Sequence, residues 1–121
     1  MSKSVMSTEA TDLKPPRDDP ITVEELSKSD GTDSSKPTLV AIKGTVFDVS
    51  GNPSYGPSGN YHVFAGKDAS RALGKSSLKP EDCRPEWSDL PDKEKGVLDE
   101  WFNFFSKRYN IVGKVAGASN L

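Results

Sequence analysis

The sequence predicts an α+β domain, with a small mixed β-sheet, short helices forming an open ligand pocket, and one long C-terminal helix. Three observations predict it. Residues 38–49 read as a β-hairpin. Residues 50–60 are too rich in glycine and proline for a regular element. Residues 92–109 carry apolar side chains at helical spacing and lead into a short β-rich run.

The chain has 121 residues, 33% of them apolar. Residues 1–20 hold only Met1, Val5, Met6, Ala10 and Leu13 as apolar residues, and every aromatic lies beyond them. Such a segment cannot bury enough apolar surface to offset the entropy of ordering. The expected organisation is a disordered leader over 1–20, one domain over 21–116 and a flexible tail over 117–121.

Structure is expected to start at Ile21. Thr22 and Glu25 have the spacing of a capping box, and Ile21 and Leu26 that of a hydrophobic staple, with Gly31 stopping the short helix. Thr38–Ile42 and Thr45–Val49 are the arms of the hairpin, turned at Lys43-Gly44. Ser50 to Asn60 has an interior tyrosine, Tyr55, and reads as an ordered functional loop. Tyr61–Phe64 and Lys67–Leu73 read as short helical pieces broken at Gly66, with Asp68 and Ser70 capping the second. Residues 74–91 are prolyl loop with one turn. Asp92–Tyr109 is the long helix, with Val97, Trp101, Phe104 and Phe105 as its core stripe, extended by Leu98, Phe102 and Tyr109. Asp92 and Glu94 at its start, and Lys107 and Arg108 at its end, complement the helix dipole. Ile111–Val115 is the closing strand.

Composition excludes several functions. Sixteen basic against 18 acidic residues leave a net charge of −2, so no basic face is offered to nucleic acid. The longest apolar run, Leu39–Ile42, is far short of the roughly 20 residues a membrane helix needs. The single Cys83 makes no internal disulfide, which fits a reducing compartment. With one histidine, His62, it cannot build a zinc or iron–sulfur site. No paired carboxylates or phosphate loop are evident, so the chain is expected not to be an enzyme.

Ala41–Val49 resembles the opening of a cytochrome b5-like domain. Tyr55-Gly56-Pro57-Ser58-Gly59-Asn60-Tyr61, followed by Phe64–Leu73, is similar to the signature of the membrane-associated progesterone receptor family. Trp101 and Tyr109–Val115 fit the last helix and strand of that family. True cytochromes b5 clamp haem iron between two histidines, which one histidine cannot do. The resemblance implies instead that iron is held by a tyrosine oxygen. By position that ligand is Tyr61, with Tyr55, Arg108 and Tyr109 completing the haem-binding set. Arg108 stands where family members often carry Lys. The implied cofactor is ferric haem b, because tyrosinate is a hard anionic ligand and a bound cation stabilises the ionised phenol. The implied role is support of haem-thiolate monooxygenases in sterol synthesis, or haem carriage, with a sterol as a further ligand. A cytoplasmic domain docked at the endoplasmic reticulum through a partner is expected.

Without the resemblance, Tyr55, Tyr61 and Tyr109 are ordinary amphipathic core residues whose hydroxyls reach water. His62 adjoins Tyr61, but neighbours on a helical turn point about 100° apart, so both cannot face one iron. A haem-free steroid or small-molecule binder, and an interaction module on the same fold, remain the alternatives.

Overall fold

The computed structural model describes residues 15–33 and 35–117. Most of the expected leader and most of the tail lie outside the described residues. The elements run β1 (Pro20–Ile21), α1 (Val23–Lys28), β2 (Leu39–Ile42), β3 (Thr45–Asp48), α2 (Ser70–Gly74), α3 (Asp92–Arg108) and β4 (Asn110–Val115), with single 3-10 turns at Pro53–Tyr55, His62–Phe64 and Pro80–Asp82. The fold is the expected α+β one.

The sheet has the order β1-β4-β3-β2. β2 and β3 pair antiparallel, and both residues of their turn take positive φ, Lys43 at 52° and Gly44 at 74°. That is the turn geometry whose twist matches flanking strands. β3 and β4 also pair antiparallel, with the register slipping between Val46 and Phe47. Val40, Ile42, Phe47 and Val49 pack on one face with Tyr55, Leu98 and Phe105. Leu39, Ala41 and Val46 pack on the other with Leu26 and Val115. This split follows from side chains alternating across a strand. Both faces are covered, which is why every residue of β2 is buried.

The capping box is present, with Glu25 N–H on the Thr22 hydroxyl and Thr22 N–H on the Glu25 carboxylate. α1 ends at Lys28, before Gly31, because Ser29 already leaves helical geometry.

The outer edge of β2 is closed by a strap of residues 66–69. Gly66 N–H donates to Leu39 C=O, Ala41 N–H to Lys67 C=O, and Ala69 N–H to Ala41 C=O. Asp68 and Ser70 are not the cap of α2: its N-cap is Ala69, with no side-chain capping bond, and Ser70 is its first residue. The Asp68 carboxylate accepts from Ser70 N–H at 3.1 Å and from Gly44 N–H at 3.0 Å, while Ser70 Oγ accepts from Lys43 N–H at 2.7 Å. The pair ties the hairpin turn to the start of α2.

Two other expectations change. Residues 17–21, drawn from the compositional leader, run beside β4: Arg17 N–H donates to Ile111 C=O, Lys114 N–H to Asp19 C=O and Ala116 N–H to Ile21 C=O. Gly113 admits this segment, because a Cβ there would strike the Asp19 carbonyl. The short polar stretch is held by backbone bonds, which hydropathy does not report. The helix stripe is also rotated from the expected one. Leu98 and Phe105 are fully buried, Trp101 is half-buried and Phe104 is 44% exposed. Helical spacing defines an apolar face broadly, and what packs beneath it selects the centre line, here Gly74 of α2 at Leu98 and Phe47 at Phe105.

Candidate functional site

The loop after β3 is built by a sequence of local bonds. Asn52 caps the turn at Pro53–Tyr55, its carboxamide oxygen accepting from Ser54 N–H at 3.0 Å. The chain then doubles back. Gly59 lies so close to the Ser54 carbonyl that any Cβ would collide with it. Tyr61 N–H closes the loop on that same Ser54 carbonyl at 2.8 Å. The glycine is therefore a steric requirement of the Tyr-x5-Tyr spacing.

Closure brings the tyrosines together. Tyr55 and Tyr61 ring centroids are 5.9 Å apart, and Tyr55 and Tyr109 6.3 Å apart at nearly perpendicular planes. Tyr61 also stacks on Phe64 at 5.8 Å. Their environments differ sharply. Tyr55 is 3% exposed and packs edge-on against Phe105, whereas Tyr61 is 38% exposed. Tyr109 is half-buried at the end of α3, 5.0 Å from Phe105.

Burial holds the Tyr55 phenol well above its usual value of 10.0. The neighbouring Tyr109 and Tyr61 phenols push the same way, and Arg108 pulls weakly back. The Tyr109 oxygen accepts from Asn52 Nδ2 at 2.8 Å. The Tyr61 hydroxyl makes no hydrogen bond among the described residues.

Arg108 joins this group only in part. Its guanidinium lies over the Phe104 ring at 5.3 Å, yet it shares with Tyr109, Asn52 and Asp48 the wall of a cleft of about 630 Å³. His62 is turned elsewhere, with Nε2 on the Asp30 carbonyl at 2.9 Å. Asn52 was not singled out from the sequence. Its signal was an Asn before Pro in a turn-rich loop, which marks a cap but does not reveal a partner 57 residues away.

The donor set suits a ferric porphyrin. It has one accessible phenol, a second phenol on the cleft wall, and a guanidinium matched to carboxylates.

The arrangement of sheet, strap and helix defines the class, a cytochrome b5-like ligand-binding domain. A hypothetical protein from Arabidopsis thaliana solved with a cytochrome b5 like fold superposes with a TM-score of 0.74 at 49% identity, covering 82% of this chain and 92% of that one. Residues 22–115 match the model of the "Cytochrome b5-like Heme/Steroid binding domain", and the chain belongs to that family. It is 53% identical over 95 residues to "Probable steroid-binding protein 3" of Arabidopsis thaliana, covering 78% of this chain and 95% of the relative. It is 49% identical to "Membrane steroid-binding protein 2" of Oryza sativa subsp. japonica over 78% of this chain, but spans only 36% of that relative's length. A "Cytochrome P450 regulator dap1" of Schizosaccharomyces pombe is 41% identical over 78% of this chain and 61% of its own. No helix among the described residues is long and apolar enough to cross a membrane.

Proposed function

We propose that the domain is a non-enzymatic haem-binding module that takes ferric haem b through the Tyr61 oxygen. The observation that carries this is the contrast within one loop, between the buried, neutral Tyr55 and the accessible Tyr61 beside it. A metal-bound phenol must lose its proton, and Tyr61 is the one whose ring is open to solvent. The haem supplies a redox-active iron that an anionic oxygen ligand biases toward the ferric state. This chain's residues bind and orient it. In this reading the Tyr109 hydroxyl and the Arg108 guanidinium, both on the cleft wall, hydrogen-bond the haem carboxylates. The name of the fission-yeast relative, a cytochrome P450 regulator, supports a role beside haem-thiolate monooxygenases, and sterol synthesis is the pathway this reading assigns them. Docking at the endoplasmic reticulum surface through such a partner accommodates the lack of a spanning helix among the described residues.

Titration of haemin into the wild-type protein and Tyr61→Phe tests the reading. The wild type should bind one haem with a tyrosinate charge-transfer absorption. Tyr61→Phe, which keeps the ring and removes the oxygen, should lose that absorption and tight binding. Unchanged affinity and spectrum would refute the assignment. His62→Ala should leave the spectrum unaltered.

A second reading, steroid binding, rests on the names of the plant relatives and on an apolar cavity in this chain that the tyrosines do not line.

A further inference from the structure

A cavity away from the tyrosines is lined by other elements. It has a volume of about 680 Å³ and lies between α1, the strap at 66–68, the loop at 83–88 and the end of β4. That volume is within the range of roughly 300–1,000 Å³ common to small-molecule sites. Leu26, Trp87 and Val115 give it apolar walls, and Val23 stands in it 66% exposed. Val23 has no role in the core, so its apolar surface is in water unless something covers it.

The cavity and the cleft of Tyr109 and Arg108 share no residue, and Tyr61 lines neither. β4 separates them. Val115, in the cavity wall, hydrogen-bonds Gly44 at the hairpin-turn end, while Asn110, in the cleft, pairs with Asp48 at the other. Five steps of strand at about 3.3 Å each put them roughly 16 Å apart.

The wall chemistry selects the ligand. No tyrosine or histidine lines this cavity. Its thiol, Cys83, is buried, and burial pushes it above its usual pKa. Beside the apolar walls lie Ser27, Ser88, the exposed Lys67 and the carboxylates Asp68 and Glu86, polar groups able to hold one hydroxyl or ketone end. A rigid, uncharged, mainly apolar molecule with one ketone or hydroxyl end matches this lining. We propose that the steroid-class ligand of this domain binds in this cavity under α1, separately from the Tyr61 site, so that steroid and haem can be held together. This rests on the steroid reading above, and does not require that haem bind.

Equilibrium dialysis with radiolabelled progesterone tests it, on the haem-free and the haemin-loaded protein. Val23→Glu is the main variant. It sets a charge in the cavity wall, and the first turn of a helix favours an acidic residue, so the fold should persist. Ala116→Trp, at an exposed position in the same wall, is the second and acts by filling space. Both should weaken progesterone binding at least about tenfold, a change of roughly 1.4 kcal/mol, and leave the haemin Soret titration unchanged. Tyr61→Phe should do the reverse. Loss of progesterone binding on haemin loading or in Tyr61→Phe, with Val23→Glu unaffected, would overturn the two-site proposal in favour of one shared site. No progesterone binding by the wild type would overturn it outright. The Soret titration reports on the haem reading independently.

Discussion

The two ends of the loop from Asn52 to Tyr61 carry the same side chain and use it oppositely. At the front, Tyr55 is inserted between Phe105 and Tyr109 and almost sealed from water. At the back, Tyr61 lies across it at 5.9 Å with a ring well open to solvent. Burial makes the first a neutral structural phenol, and access lets the second meet a cation. Residue type alone does not distinguish them. The difference arises because the core takes in only one ring, and Gly59 brings the other back over it.

The largest expected effect removes the floor of this arrangement. Phe105 touches Tyr55, Tyr109 and Phe47, and is fully buried. Phe105→Ala should destabilise the domain by about 3–5 kcal/mol. Phe104→Ala, one residue earlier and exposed, should cost no more than about 1 kcal/mol. Urea denaturation of the two variants separates them, and equal losses would show that the helix face is misassigned.

Gly59→Ala attacks the fold-back itself. A methyl group there meets the Ser54 and Pro53 carbonyls. The loop must move, at a cost of about 1–3 kcal/mol. Haem affinity should fall as well, because Tyr61 is hung from the same Ser54 carbonyl. A Gly59→Ala protein with wild-type melting and haemin affinity would show that the loop adapts freely.

Tyr109→Phe sharpens the comparison at the rim. The ring packing on Phe105 stays, but Asn52 loses its acceptor. Haem binding should weaken about tenfold or less, the lower end of what a bond to a charged acceptor contributes. The domain should remain folded. Haemin titration beside thermal melting reads both, and an unfolded variant would make Tyr109 a core residue alone.

The smallest effect is confined to alkaline pH. The Tyr55 pKa is raised in the folded state, mainly by burial, so above the ordinary phenol value of about 10 the unfolded chain releases a proton that the folded one keeps. Stability from this group is complete below that pH and is lost as pH rises toward the folded value. Tyr55→Phe should flatten the decline while leaving the neutral-pH spectrum of bound haem in place. Melting curves at pH 8, 10 and 11 suffice, and an identical alkaline slope in both proteins would exclude Tyr55 as its source.

The sequence by itself determined the local elements. The capping box at Thr22, the hairpin turn at Lys43-Gly44 and the long helix to Arg108 all form as expected, because each is encoded in residues within a few positions of one another. It also determined the family, through the run from Tyr55 to Tyr61, and it set His62 aside as a ligand, in keeping with the placement of that ring on Asp30. What lay beyond it were contacts between distant segments. Residues 17–20 read as leader because they are polar, yet backbone bonds to β4 hold them. Phe104 read as core because its spacing fits, yet the core meets the helix along Leu98 and Phe105. Only the tertiary structure joined Asn52 to Tyr109, buried one tyrosine and exposed the other, and opened a second cavity at the far end of β4. Hydropathy and spacing report what one segment prefers, whereas exposure and pairing depend on which surfaces the packed chain leaves over.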